Sequence, residues 1–302
     1  MLDLEALINE NEFEKLKQAI INKNVIKIKA NNEILNKIYN IDKLNNHLNK
    51  NILVYPYISL NNHYGNTCKH DLIKRTKNKH INSLETKLSK KNILFRIAQG
   101  DTLVVNYLQE FDNNVESLIN YFSNKFNSNC NINLYYSYKN TLGINLHFDL
   151  HDILAIQFHG KKEWVIVKQK GNVSQIIEKS KIPRLSELNE KDIENIETNI
   201  GDILYIPKGI WHQAKTTDKS SLHFALSLNP LRVKDLIKHF LNTNLENLGE
   251  KNLYDISSEN IKKELQEVLE KLDKCLNSYL ENDSIKLLST LSISENVNLK
   301  LS

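Results

Sequence analysis

The chain has 302 residues, enough for one large domain with an appendage or for two modest domains. Its 40% hydrophobic and 25% charged content is ordinary for a globular protein. The net charge of +4 comes with lysines spread along the whole chain, so the balance alone makes no case for nucleic acid, although it permits a basic groove.

Asn, Ile and Lys are frequent while Gly, Pro and Met are scarce, which reads as a nucleotide bias of the source genome. The cysteines, Cys68, Cys130 and Cys275, are odd in number and widely spaced, with no CxxC, which fits a reducing cytoplasm better than a disulfide framework. The N-terminal MLDLEALINENEFEKLK is acidic and lacks the apolar core of a signal peptide. No run reaches the roughly 18 apolar residues of a membrane helix. The expectation is a soluble cytoplasmic protein that does not enter a membrane.

Taken in chain order, residues 3–22 place Leu4, Leu7, Ile8, Phe13, Leu16 and Ile20 at the spacing of an amphipathic helix. Val25, Ile26 and Ile28 predict a strand, Asn-rich linkers follow, and ILVYPYISL (52–60) predicts another strand. Residues 61–92 are polar and hold His63, Cys68, His70 and His80. With one cysteine and no repeated ligand spacing, they read as a surface loop rather than a metal site.

From residue 93 short apolar runs alternate with turns: NILFRI, DTLVVNYL, NINLYYSY, DILAIQF, EWVIV, GDILYIP and SLHFALSL, with one helix near 114–127. Many short strands at this spacing predict a β-sandwich or barrel. After Pro230 the period returns to helical. Ser257 or Ser258 is placed to cap a helix with an apolar stripe of Ile261, Leu265, Val268, Leu269, Leu272 and Leu276, which must pack against the domain or a second copy of the chain.

The chemistry concentrates in INLHFDLHD (144–152) and GDILYIPKGIWHQA (201–214). In a strand, His147 and Asp149 would point to one face, because residues i and i+2 do. His212 follows a strand and a Pro-Lys-Gly turn. Two histidines and a carboxylate on a β-barrel are the facial triad of non-haem Fe(II) oxygenases, with positions left open for a bidentate cosubstrate and O2. An HxD pair alone arises often by chance, and unrelated barrel histidines are the bland alternative. The strand-turn-His that follows in a β-rich stretch weighs against it.

The wider stretch NINLYYSYKNTLGINLHFDLHDILAIQFHGKKEWVIV, with GDILYIPKGIWHQA, SLHFALSLNP and upstream GDTLVVNYL, resembles the JmjC-type oxygenases of the cupin-like ribosomal oxygenase family, over about residues 95–230. The resemblance implies a mainly β fold with helices: a double-stranded β-helix (jelly-roll) core, an N-terminal part of mixed helices and strands, and a C-terminal helical region. It implies a catalytic domain over 1–230 and a helical, dimerising region over 231–302. His147, Asp149 and His212 fall on its iron ligands. Lys162 falls on the cation that pairs with the distal carboxylate of 2-oxoglutarate, which a dicarboxylate entering a partly buried barrel requires. Asn133 and Tyr135 fall on its N-x-Y pair, two apart and so on one face. Gln157, Trp164 and His223 also match. Asp152 either points at substrate or holds a neighbouring loop.

Two departures stand out. Ala225 sits where the family often has a hydroxyl, and too little chain follows the helical region for a winged-helix domain. The implied activity uses Fe(II), with 2-oxoglutarate and O2 as cosubstrates, to hydroxylate a side chain of a protein or peptide. A tRNA base hydroxylase of the same fold, which the charge permits without favouring, and a non-catalytic cupin-like binding protein are the alternatives. A homodimer is expected from the family and from the C-terminal stripe.

Overall fold

A computed structural model describes residues 2–62, 65–66, 72–78, 83–171 and 185–232, with a few isolated positions beyond. The chain divides into two units, residues 1–121 with 130–228, and residues 122–129 with 229–302.

The first unit is built on antiparallel sheet. An eight-stranded sheet has the order β1-β11-β8-β13-β7-β6-β2-β3, and a three-stranded sheet has the order β10-β9-β12. The strands are β1 (Ile26–Lys29), β2 (Ile58–Asn62), β3 (Gly65–Asn66), β6 (Thr102–Val105), β7 (Ser128–Ser137), β8 (Asp152–His159), β9 (Lys161–Lys170), β10 (Ile193–Asn199), β11 (Asp202–Ile206), β12 (Ile210–Thr216) and β13 (Ser221–Pro230). A separate hairpin joins β4 (Ile73–Asn78) to β5 (Ser83–Leu88). The two larger sheets share an apolar core in which Ala155, Leu204 and Ile206 of one meet Trp164, Ile166 and Ile210 of the other. This is the jelly-roll expected from the sequence.

β8 is buried on both faces, which is why DILAIQF carries no polar alternation. On the far side of the large sheet, Tyr39 stacks obliquely on Phe224 of β13 at 5.2 Å. His223, next to Phe224, therefore faces the inside of the roll, as strand alternation requires.

Four expectations are corrected. The first helix, α1, runs from Glu10 to Asn22, not from residue 3, because the Asn9 side chain caps it by accepting from Glu12 N at 3.0 Å. The Asn-rich linkers contain two helices, α2 (Asn32–Ile38) and α3 (Ile41–Asn49), whose caps are Asn31 and Asn40. ILVYPYISL forms a turn before β2 rather than one strand. NILFRI belongs to a helix, α4 (Lys90–Ala98), which buries Ile93 and Ile97 at i, i+4 spacing and exposes Leu94 and Phe95. The helix expected at 114–127 is α5 (Asn113–Phe126).

In the second unit Phe122 stacks on Phe126 at 6.2 Å, and Arg232 forks onto Asp235. The apolar stripe from Ile261 to Leu276 lies outside the described residues except for Leu269, which is exposed. His63, Cys68, His70 and His80 also lie outside them. Among the described residues no helix is long and apolar enough to cross a membrane.

Leu154 is fully buried at the centre of β8, between Tyr205 and Leu226. Leu154→Ala is expected to cost about 2–5 kcal/mol through lost burial and a residual cavity. Urea unfolding followed by circular dichroism measures it.

Candidate metal and cosubstrate site

The segment that carries His147 and Asp149 is not a regular strand. It is extended chain laid against β12, touching it through isolated bridges at Leu142↔Lys215 and His147↔His212. His147 N donates to His212 O at 3.1 Å, and His212 N donates to His147 O at 2.7 Å. This reciprocal pair brings the two imidazoles to 4.4 Å between centroids. The convergence expected from i, i+2 spacing is present, but β12 produces it rather than a strand of the segment's own.

The three side chains place one ligand atom each within 4.8 Å of one another. His212 Nε2 lies 3.3 Å and His147 Nε2 3.8 Å from Asp149 Oδ2. That oxygen is buried and has no hydrogen-bond partner. A buried carboxylate oxygen without a donor is costly unless a cation meets it. His147 Nδ1 lies 2.7 Å from Asn145 O and His212 Nδ1 lies 2.9 Å from Ile210 O. Both carbonyls accept a proton from Nδ1, which turns each Nε2 toward Asp149 and, in the neutral ring, makes Nε2 the nitrogen that can bind a metal. Burial and the neighbouring His212 lower the His147 pKa, favouring the neutral ring. Burial pushes the Asp149 carboxyl up, but the facing imidazoles outweigh it and hold it below the usual carboxylate range. An ionised carboxylate facing two Nε2 atoms is a donor set that a divalent metal can use.

The Pro207–Gly209 turn that launches β12 is pinned from two sides. Lys208 N donates to Asp152 Oδ1 at 2.8 Å, and Gly209 N donates to Asp149 O at 3.0 Å. Gly209 adopts φ +82°, a conformation that side chains disfavour. Asp152 also accepts from Tyr205 OH at 3.1 Å and from Lys23 Nζ at 2.6 Å. Of its two sequence readings, Asp152 takes the one that holds a neighbouring loop.

Lys162 lies on β9, where Lys162, Trp164 and Ile166 alternate inward. It is 2% exposed, and its ammonium group meets Ser137 Oγ at 3.2 Å. Ser137 in turn bonds Thr102 at 2.9 Å. No carboxylate pairs with Lys162 among the described residues, and burial lowers its pKa to about 7. Its neighbour Lys161 is solvated and pairs with Glu197.

Tyr135 stacks on His223 at 5.0 Å, and His223 meets the edge of Trp164 at 5.4 Å. Burial and the nearby Asp149 push the Tyr135 phenol up to about 12, against a hydrogen bond with Asn133. His223 Nδ1 is buried without a partner, and burial with the Lys162 charge holds the ring neutral. Asn133 also accepts from Tyr107 N at 3.1 Å. Gln157 bonds Ser221 and Thr198, and Thr198 receives Trp164 Nε1 at 3.0 Å, so Gln157 orients the tryptophan. Ala225, opposite Ala155, offers no hydrogen bond from its side chain. Ser137 and Thr102 were not singled out from the sequence. Ser137 continues the two-residue period of Asn133 and Tyr135, and that period marks it.

Residues 106–236 match the family model described as the JmjC domain. The histidyl-hydroxylase NO66 of Dictyostelium discoideum, also named a lysine-specific demethylase, is 32% identical over 141 residues, covering 46% of this chain and 27% of that protein. Ribosomal oxygenase 1 of Danio rerio is 28% identical over 122 residues, covering 39% of this chain and 22% of its own. The chain thus spans about a quarter of the length of these relatives. In fold it is similar to the ribosomal oxygenase YcfD of Escherichia coli, solved with cobalt and 2-oxoglutarate. The TM-score is 0.50 at 15% identity, over 96% of this chain and 72% of that one.

A lysine whose pKa is lowered on folding makes the folded state bind fewer protons than the unfolded one, so stability rises with pH between the two values. The protein without ligand is expected to gain unfolding free energy from about pH 7 to 10.5, an increment of order 5 kcal/mol that Lys162→Met lacks. Denaturant unfolding of both forms across that range checks it.

Proposed function

We propose that this chain is an Fe(II)- and 2-oxoglutarate-dependent oxygenase that hydroxylates a side chain of a protein or peptide. The observation that carries this reading is a buried cation, Lys162, without a carboxylate partner among the described residues, inside the same roll as a His147–Asp149–His212 cluster. His147 and His212 through Nε2, and Asp149 through its orphaned oxygen, would hold the metal. Imidazole and carboxylate without thiolate suit Fe(II). The NO66 relatives are named hydroxylases of histidyl residues, which supports a polypeptide substrate.

When bound, iron and 2-oxoglutarate supply O2 activation: the cosubstrate becomes succinate and CO2, and the second oxygen atom enters a substrate C–H bond. The chain's own residues prepare the site. Lys162 binds the distal carboxylate, and the dianion restores the full charge of an ammonium that burial disfavours. Ser137 and Thr102 hold that ammonium in place. The Tyr135 phenol stays protonated and donates into the same pocket, with Asn133 fixing its direction. Trp164 and His223 wall the pocket with apolar surface and exclude water. The backbone carbonyls of Asn145 and Ile210 fix the ring orientation, so that the neutral imidazoles would turn Nε2 toward the metal.

Residues 1–230 would form the catalytic domain and 231–302 a helical region through which two copies pair. A cytoplasmic setting suits a ferrous site and the buried Cys130 thiol.

His147→Ala and Asp149→Ala are each expected to abolish Co(II) or Fe(II) binding in calorimetry and succinate formation from 2-oxoglutarate, with an unchanged circular dichroism spectrum. Unaltered turnover in these variants would refute the assignment. Lys162→Ala is expected to raise the KM for 2-oxoglutarate by about tenfold or more, the loss of a buried charge-assisted bond, while metal affinity stays within about twofold. Light scattering should report twice the chain mass, and a monomer at all concentrations would remove the dimer.

A further inference from the structure

Tyr107 holds a backbone conformation that its side chain disfavours. Among the described residues other than glycine, positive φ occurs at Lys23, Asn51, Tyr107, Asn127 and Asn140. Asparagine tolerates the left-handed region, and Lys23 ends α1 there. Tyr107, at φ +52°, is bulky and ends no helix. In a chain so rich in asparagine, an aromatic at this position is a choice against the backbone, and residues held in this way collect at ligand-contacting sites. Tyr107 N donates to Asn133 Oδ1 at 3.1 Å. Asn133 also hydrogen-bonds Tyr135, whose phenol feels the charge of Asp149. Asn133 and Tyr135 share the inner face of β7, so Tyr107 leaves the end of β6 at the rim of the roll, one hydrogen-bonded step from the residues around the metal cluster.

The rim has a definite chemistry. The Tyr57 ring stands 6.5 Å from that of Tyr107 at 87°, and Phe111 braces it at 5.1 Å and 81°. The Tyr57 carbonyl accepts from Asn106 N at 2.8 Å, which ties the two tyrosines to adjacent strand ends. Tyr107 is 49% and Tyr57 36% exposed, and no cation stands on either ring among the described residues. Glu110 lies one turn on, its N donating to Tyr107 O at 3.0 Å. It is exposed and forms no ion pair among the described residues, whereas Asp112 is taken up by Lys43 and His47. Residues 53–60 and 106–112 contain no Lys or Arg, in a chain that has 40. Two ring faces and an open carboxylate without a local cation suit a cation from outside. A nucleic acid would bring phosphates to a rim whose charge is negative, and an apolar segment would leave Glu110 without a role.

We infer that Tyr107, Tyr57 and Glu110 form a specificity contact that receives a lysine or arginine lying within about three residues of the hydroxylated one in a polypeptide substrate. The inference rests on the hydroxylase reading for its target residue, but the contact itself binds without turnover. A substrate chain entering over this rim sets its cation against the rings while the target side chain passes Asn133 and Tyr135. The three are specificity residues and not catalytic ones, because none belongs to the metal cluster.

The test is fluorescence anisotropy of the full chain with labelled glycine-serine peptides that carry a central histidine flanked on both sides by arginine, or by citrulline, which keeps the shape and removes the charge. The arginine peptide should bind about fivefold tighter than the citrulline peptide. Tyr107→Asn should cut that ratio to about twofold or less, and Tyr107→Phe, which keeps the ring, should preserve it. Glu110→Gln should lower the ratio and its dependence on salt. Because asparagine suits φ +52°, Tyr107→Asn should melt at or above the wild-type temperature, which separates lost discrimination from lost fold. If it melts early, Tyr57→Leu repeats the test at the other ring. No binding of either peptide, equal binding of both by the wild type, or a ratio unchanged in the ring variants overturns the proposal. So does tighter binding of a proline-flanked peptide, which would assign the rim to a proline-rich segment, or a dimer that Tyr107→Asn turns into a monomer, which would assign it to a second copy. Succinate formation by the wild type without peptide tests the oxygenase reading separately: its absence fails that reading, while the peptide ratios still decide this one.

Discussion

The site depends on one short pairing, the reciprocal backbone hydrogen bonds between His147 and His212. They join a segment with no sheet ladder of its own to a strand that has one. Without them, the ligands at 147 and 149 would sit on an irregular loop, and loops place side chains less exactly than sheets. With them, β12 sets the position of all three ligand side chains. β12 is itself fixed on β9 along its length and at its start by the pinned turn. Asp149 takes part twice, through its carboxylate in the cluster and through its carbonyl on Gly209. The turn therefore fixes His212 and Asp149 relative to each other.

β9 ties that cluster to Lys162. One face of this strand carries Lys162, Trp164 and Ile166, and the same strand pairs with β12 so that Ile166 lies opposite His212. Lys162 is thus four residues along the strand from the metal-ligand level, about 13 Å at the rise of a β-strand. The intervening wall is Trp164 and His223, neither of which carries charge. The electrostatics form two poles inside the roll: a carboxylate between imidazoles at one, an ammonium at the other. A ligand that bridges them must be anionic at its far end and metal-chelating at its near end. Burial of Lys162 beside the Ser137 hydroxyl disfavours its ammonium, so an anionic group meeting it there would be favoured.

How much of this was legible in the sequence depends on which force fixed each part. The strands from residue 100 onward were readable because burial imposes a period there, and the inward turn of Lys162 followed from the same period. The N-terminal helices were misread because their asparagines looked like linker, whereas Asn31 and Asn40 sit at the positions where an amide caps a helix. NILFRI was misread because four apolar residues in six fit either period, and only packing decides that two of them face solvent. His147, Asp149 and His212 were found by motif, but the reason given for their convergence, a strand, was wrong. Convergence came from a long-range pairing that no local pattern encodes. Asp152 was open between two roles because its partners, Lys208, Tyr205 and Lys23, come from three distant places.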